Sequence, residues 1–256
     1  MQIFSLLFMI SVEIKMKKRN NVKLVCLFGE SGSGKTTTIR NTKEYINGFK
    51  VVPNTGIIRF LFDKNAYYAS PVSLINKLWN HTAEMTPIEK QNRIDEIYEK
   101  YVKSQFQLLN DWSTEMLETF RAQYAEKTAI VFDRSPMDFY VLTICGLEYL
   151  KEILQSDYND TCKRYIEMIK KVTAYNTETF IDAIIITEPW TDKNTNIMND
   201  GIRDHYLNPA YRGSNWYDKF QNIDISIKTY NINSSVTSLM QRASMVNDFL
   251  SEVCVA

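Results

Sequence analysis

Two histidines, His81 and His205, and four scattered cysteines are all the imidazole and thiol groups that this 256-residue chain offers to a metal. Neither histidine has metal-like company. Cys26, Cys145, Cys162 and Cys254 form no C-x-x-C pair and no zinc-like spacing. A zinc module and a disulfide framework are therefore excluded, and a reduced, cytoplasmic compartment fits best. An excess of charge of one sign is missing too. Thirty Lys and Arg face thirty Asp and Glu, so no overall field favours nucleic acid, although a local basic groove stays open. Internal repeats and low-complexity segments are absent. The mostly apolar run at residues 1–12 has no basic segment before it and no small-residue cleavage site after it. It is too short to span a bilayer, so no membrane partner is expected. Residues 1–20 are expected to be a disordered or mis-assigned extension, with an extra edge element as the alternative. Glycine is scarce, and that makes its clustering informative: three of the eight, Gly29, Gly32 and Gly34, fall within six residues.

Those glycines belong to a complete phosphate-binding pattern. G-x-x-x-x-G-K-[ST] is filled by Gly29, Gly34, Lys35 and Thr36, with Gly32 as an extra glycine. The apolar run 24–28 reads as a buried strand before it, and 36–46 as the helix after it. In that setting the main chain of Gly29, Glu30, Ser31, Gly32, Ser33, Gly34, Lys35, Thr36 and Thr37 closes its N–H groups around a phosphate. The helix N-terminus adds partial positive charge. A nucleoside triphosphate is the implied ligand.

Five apolar, β-rich runs recur between helical stretches: Lys23–Phe28, 49–53, 129–133, Ala183–Thr187 and 223–230. Strands separated by helices predict right-handed crossovers and a five-stranded, mostly parallel sheet in a three-layer α/β/α domain over 21–256. Sites in such sheets lie at the carboxyl ends of the strands, and each run here ends in polar or special residues. Between the second and third runs, a helical region at about 56–127 interrupts the alternation. Its apolar positions Ile94, Tyr98, Tyr101, Val102, Phe106, Leu109, Trp112, Met116 and Phe120 keep a helical period. That stripe reads first as core and second as a wall of a substrate pocket. Further helices are expected over 135–155, 159–180 and 235–253. The polar segment 189–222, with tyrosines, asparagines and basic residues, reads as a mobile lid.

Phosphoryl transfer needs charge neutralisation and alignment. Lys35 is placed to reach β- and γ-phosphate oxygens, and the Thr36 hydroxyl to ligate Mg²⁺. Asp133 follows four apolar residues, the pattern of a second magnesium-holding carboxylate; without a phosphate loop, such an aspartate is usually a turn residue. Arg134, next in sequence, can clamp a phosphate in two-pronged fashion. Arg203 and Arg212 bring cations from the lid, where solvated loop charge is the plainer alternative. Arg59 is a candidate acceptor-site arginine, with the same alternative. Tyr67, Tyr68, Trp112 and Tyr140 offer faces for stacking a base, although such rings are more often simply packed.

Gly29 to Thr36, the run Asp133-Arg134-Ser135-Pro136-Met137-Asp138 and the run Asp200-Gly201-Ile202-Arg203 together resemble the P-loop kinases of nucleosides and nucleotides. The likeness is to the nicotinamide-riboside-kinase-type group of phage and bacterial genomes, often labelled an AAA domain. Thymidylate and deoxynucleoside kinases share the arginine after the carboxylate. The resemblance implies a five-stranded NMP-kinase-like core that binds ATP and Mg²⁺. It implies Asp133 as metal-associated, Arg134 as a phosphate or substrate contact, and Asp138 near the acceptor. The 86–126 stretch departs from nicotinamide riboside kinases, and the surroundings of the second strand depart from thymidylate kinases. The expected activity is transfer of the ATP γ-phosphate to a nucleoside or (deoxy)nucleoside monophosphate. One alternative acceptor is a modified base, 5-hydroxymethyluracil, within DNA. Another class altogether is a P-loop ATPase or switch acting on a partner protein.

Overall fold

The computed structural model describes residues 22–29, 33–42, 48–53, 70–79, 85–111, 117–188 and 223–255. Its strands are β1 (Lys23–Phe28), β2 (Phe49–Val52), β3 (Ala129–Phe132), β4 (Ala183–Thr187) and β5 (Lys228–Ile232). They form one sheet in the order β2-β3-β1-β4-β5, and every pairing is parallel. β1 is central. The chain leaves it toward β2 and β3 on one side and returns to β4 and β5 on the other. This reversal of strand order opens a crevice at the carboxyl end of β1, where ligands of open α/β sheets bind.

Strand alternation sorts the core onto two faces. Leu24, Cys26 and Phe28 share one apolar cluster with Ile130, Phe132, Ile184 and Ile186. Val25 and Leu27 point the other way and pack with Val131, Ala183 and Ile185. The second face is covered by Ile39 of α1 (Lys35–Thr42) and by Val246, Phe249 and Leu250 of the C-terminal helix (Leu239–Val255). Burial pushes the Cys26 thiol well above its ordinary range, and the nearby Asp138 and Asp182 add to the shift, so it stays a neutral core residue.

The helical region resolves into α2 (Pro71–Leu74, running into a π-helical turn at Ile75–Trp79), α3 (Pro87–Asn110) and α4 (Leu117–Gln123). α5 (Pro136–Leu154) and α6 (Asp160–Phe180) follow β3, and α7 is the C-terminal helix. Sequence explains their ends. Thr86 and Glu89 form a capping box before Pro87, and Ser135 and Asp138 form another before Pro136. Asn159 caps α6 by accepting from the Cys162 amide at 3.0 Å. The left-handed Gln155 (φ 52°) stops α5. Ile94, Tyr98, Tyr101 and Val102 of the expected stripe are buried in a third cluster with Leu147, Leu150 and Leu154 of α5. That portion of the stripe is core. Trp112 and Met116 lie outside the described residues.

Gly146 of α5 lies directly against the Tyr101 ring of α3. A Cβ there would stand 2.0 Å from the Tyr101 hydroxyl oxygen and 2.5 Å from its Cζ. Tyr101 is buried and donates that hydroxyl to the Leu142 carbonyl at 3.2 Å. Gly146→Ala is therefore expected to lower stability by about 1–3 kcal/mol through overpacking, despite alanine's better helix propensity. Denaturant unfolding measures this; a variant as stable as the parent would contradict the packing described.

The fifth strand departs from expectation. The alternating run 223–230 is mostly not strand: pairing with β4 begins at Lys228 and continues to Ile232. Ile223, Ile225 and Ile227 instead pack on the first core cluster, and the Ser226 amide donates to Glu178 Oε1 at 2.8 Å. Apolar alternation reported burial there, not a ladder. The last helix likewise begins at Leu239, four residues later than expected. Among the described residues, no helix is long and apolar enough to cross a membrane. Residues 1–20, the segment 189–222, Tyr67 and Tyr68 lie outside the described residues.

Candidate functional site

Gly29 directly follows the carboxyl end of β1, and Ser33 and Gly34 directly precede α1. Gly34 sits at φ 83°, a left-handed conformation that favours glycine. Gly29 is needed for close approach. A Cβ on it would lie 2.4 Å from the Thr187 carbonyl oxygen and 2.6 Å from the Thr187 hydroxyl. Lys35 is buried, and its ammonium donates to the Gly29 carbonyl at 2.6 Å and to Ser33 Oγ at 3.4 Å. The cation is thus held over the loop that carries the phosphate-binding pattern.

Thr36, in the first turn of α1, donates its hydroxyl to Asp133 Oδ2. Asp133 is buried just past β3, where its amide donates to the Val52 carbonyl at 3.0 Å and extends the ladder with β2. Residues 97 positions apart are thereby joined across the edge of the sheet. Arg134 bonds from its guanidinium to Asp138 Oδ1 at 3.1 Å. Asp138 is fully buried, and its second oxygen accepts from the Ser135 amide and hydroxyl, each at 2.8 Å. The carboxylate expected near an acceptor is engaged in capping α5 and bracing Arg134. Tyr140, a candidate stacking face, is buried in the core instead. Thr37 is exposed, and its carbonyl accepts from Asn41 at 2.8 Å. Glu30, Ser31, Gly32, Arg59, Arg203, Arg212, His81 and His205 lie outside the described residues.

Two residues with no place in the motif reading converge on the same loop. The Thr187 hydroxyl, at the end of β4, is 2.9 Å from Ser33 Oγ and 3.2 Å from the Phe28 carbonyl. A polar residue closing an apolar strand at the sheet's active edge was its only sequence signal. Arg242, fully buried in the first turn of α7, donates to the Ser33 carbonyl at 2.9 Å. It reaches main-chain carbonyls, which carry no side-chain identity, so no motif marks it.

The oxygen donors suit a hard divalent cation. A threonine hydroxyl and a carboxylate meet at the loop's edge, whereas the described residues hold no group of three or more His, Cys, Asp or Glu that could cage a metal. Such a pair fits Mg²⁺, which keeps water and takes its other ligands from phosphate.

No protein-family model and no curated protein matches the chain. Among solved structures, it is similar to thymidylate kinase from Candida albicans, with a TM-score of 0.52, 12% sequence identity, and 90% of this chain and 92% of that one covered. Deoxyadenosine kinase from M. mycoides, solved with dCMP and dCDP, aligns at a TM-score of 0.40 and 12% identity over 90% of this chain and 99% of that one. The fold is a P-loop α/β fold of the nucleotide-kinase kind, with five parallel strands and helices on both faces. Identity this low speaks for the layout of the backbone alone.

Proposed function

We propose that the chain is an ATP-dependent phosphotransferase that uses Mg²⁺ and passes the γ-phosphate to a nucleoside or (deoxy)nucleoside monophosphate. The observation that carries this reading is the meeting of Lys35, Thr36 and Asp133 at the carboxyl edge of β1 and β3, with Arg134 braced beside them. The thymidylate-kinase-like layout supports it. The arginine directly after the carboxylate favours transfer to an acceptor over plain hydrolysis.

In this reading Thr36 and Asp133 hold Mg²⁺, which neutralises charge on the phosphate oxygens when bound. Lys35 supplies a fixed positive charge from a site whose burial lowers the local dielectric and strengthens its pull on phosphate oxygens. The main chain of residues 29–37 orients the donor. Arg134, kept in position by a buried carboxylate, offers its remaining N–H groups to a transferring or acceptor phosphate. Arg203 and Arg212 are proposed as further transition-state cations and Arg59 as an acceptor contact.

The test is ADP release with MgATP across a panel of nucleosides and nucleoside monophosphates. Acceptor-dependent ADP is expected; no release above background with any acceptor rejects the reading, and acceptor-independent hydrolysis favours the switch alternative. Arg134→Ala is expected to lower kcat roughly a hundredfold, the usual effect of losing one transition-state donor. KM for ATP should move much less, because the loop contacts are untouched. Equal losses in ATP affinity and turnover would remove Arg134 from the acceptor side.

A further inference from the structure

A charged side chain with no exposed surface is costly unless its donors are matched. Arg242 is such a residue, at 0% exposure. It also stands in the first turn of α7, where the helix dipole disfavours a cation. Both local rules are broken at one position, which points to a role elsewhere. Its bonds include four to main-chain carbonyls: Val236 at 2.6 Å, Ser33 at 2.9 Å, Glu188 at 3.2 Å and Asn233 at 3.4 Å. Three segments far apart in sequence meet at one guanidinium: the phosphate loop, the exit of β4, and the connection from β5 to α7. A planar, five-donor fork suits that geometry where an ammonium does not.

The structure assigns Arg242 as the positioning residue of the phosphate loop. It fixes the Ser33 carbonyl from the C-terminal helix while Thr187 fixes the Ser33 side chain from β4. Ser33 is consequently gripped on two sides and fully buried, and the Gly34 and Lys35 amides that follow it are set before any phosphate arrives. Preorganised donors bind and stabilise charge better than donors that must be ordered on binding. Arg242 touches no reacting atom in this scheme; it acts through the loop. The assignment deepens the nucleotide reading, on which it rests, by naming what holds the donor site.

Two measurements on Arg242→Lys separate positioning from mere stability. The first is amide hydrogen exchange without nucleotide. Residues 33–36 should exchange at least about tenfold faster than in the parent, while amides of β3 keep their protection. The second is calorimetric MgADP affinity well below the unfolding midpoint, expected to weaken roughly tenfold. Should the lysine variant not fold, Arg242→Gln, which keeps two N–H donors without burying a charge, is read in the same way. Unchanged exchange at 33–36 together with unchanged MgADP affinity, whatever the fall in melting temperature, overturns the assignment. If the parent binds no MgADP yet the exchange change is confined to the loop, the positioning role stands and the nucleotide reading fails.

Discussion

Lys35→Met is expected to reduce turnover by at least about a thousandfold while leaving the protein folded. Transition-state charge on a transferring phosphoryl group is spread over oxygens that only fixed cations can stabilise, and one well-placed donor is worth roughly 10²–10³ in rate. Lys35 is more than one donor. It is a full charge in a buried setting, tied to the Gly29 carbonyl and the Ser33 hydroxyl, so it also closes the loop upon itself. Methionine keeps the length and apolar stem but abandons both bonds and the charge. The removal of a buried charge offsets part of the lost hydrogen bonding, so melting temperature should shift little. Steady-state kinetics on the best acceptor provides the check, with thermal unfolding as the control for folding. A variant within tenfold of the parent rate would show that the phosphoryl group is stabilised elsewhere.

The same site shows what could be read from residue order and what could not. Gly29, Gly34, Lys35 and Thr36 declare themselves because local geometry demands particular types at fixed spacing. Asp133 was legible because an apolar strand ends in a carboxylate, and parallel pairing brings that end beside β1. The Ser135 and Asp138 capping box and the Asn159 cap are local, and the helix limits they set match the expected ones closely. Tertiary choices were less visible. Ile223, Ile225 and Ile227 alternate as a strand does, yet they pack without pairing, since alternation reports which face is buried and not which backbone bonds form. Arg242 was invisible for a related reason. Its partners are carbonyl groups that every residue owns, brought together only by the crossover of α7 onto the sheet. Thr187 joins it as a residue whose meaning depends on what folds against it.

Gly29→Ala is expected to weaken MgATP binding at least about a hundredfold and to cost about 1–3 kcal/mol of stability, the usual range for overpacking. The added methyl would meet the Thr187 carbonyl oxygen at 2.4 Å, and that atom is main chain in the central part of the sheet. It cannot swing aside as a side chain can. Either β4 moves away from β1, which breaks ladder bonds, or the loop lifts off and carries Ser33 and Lys35 with it. Lifting is the cheaper response, because parting β4 from β1 would disrupt a ladder that runs over four residue pairs. The φ of 156° at Gly29 adds strain for any residue with a Cβ. Nucleotide affinity by calorimetry and stability by urea unfolding measure the two effects. A second-site change separates the possible causes. Thr187→Ala removes the hydroxyl that also crowds the methyl, at 2.6 Å, but leaves the carbonyl in place. The double variant should therefore bind no better than Gly29→Ala alone. Recovery of affinity in the double variant would mean that the side chain, not the sheet backbone, dictates glycine at the opening of the loop.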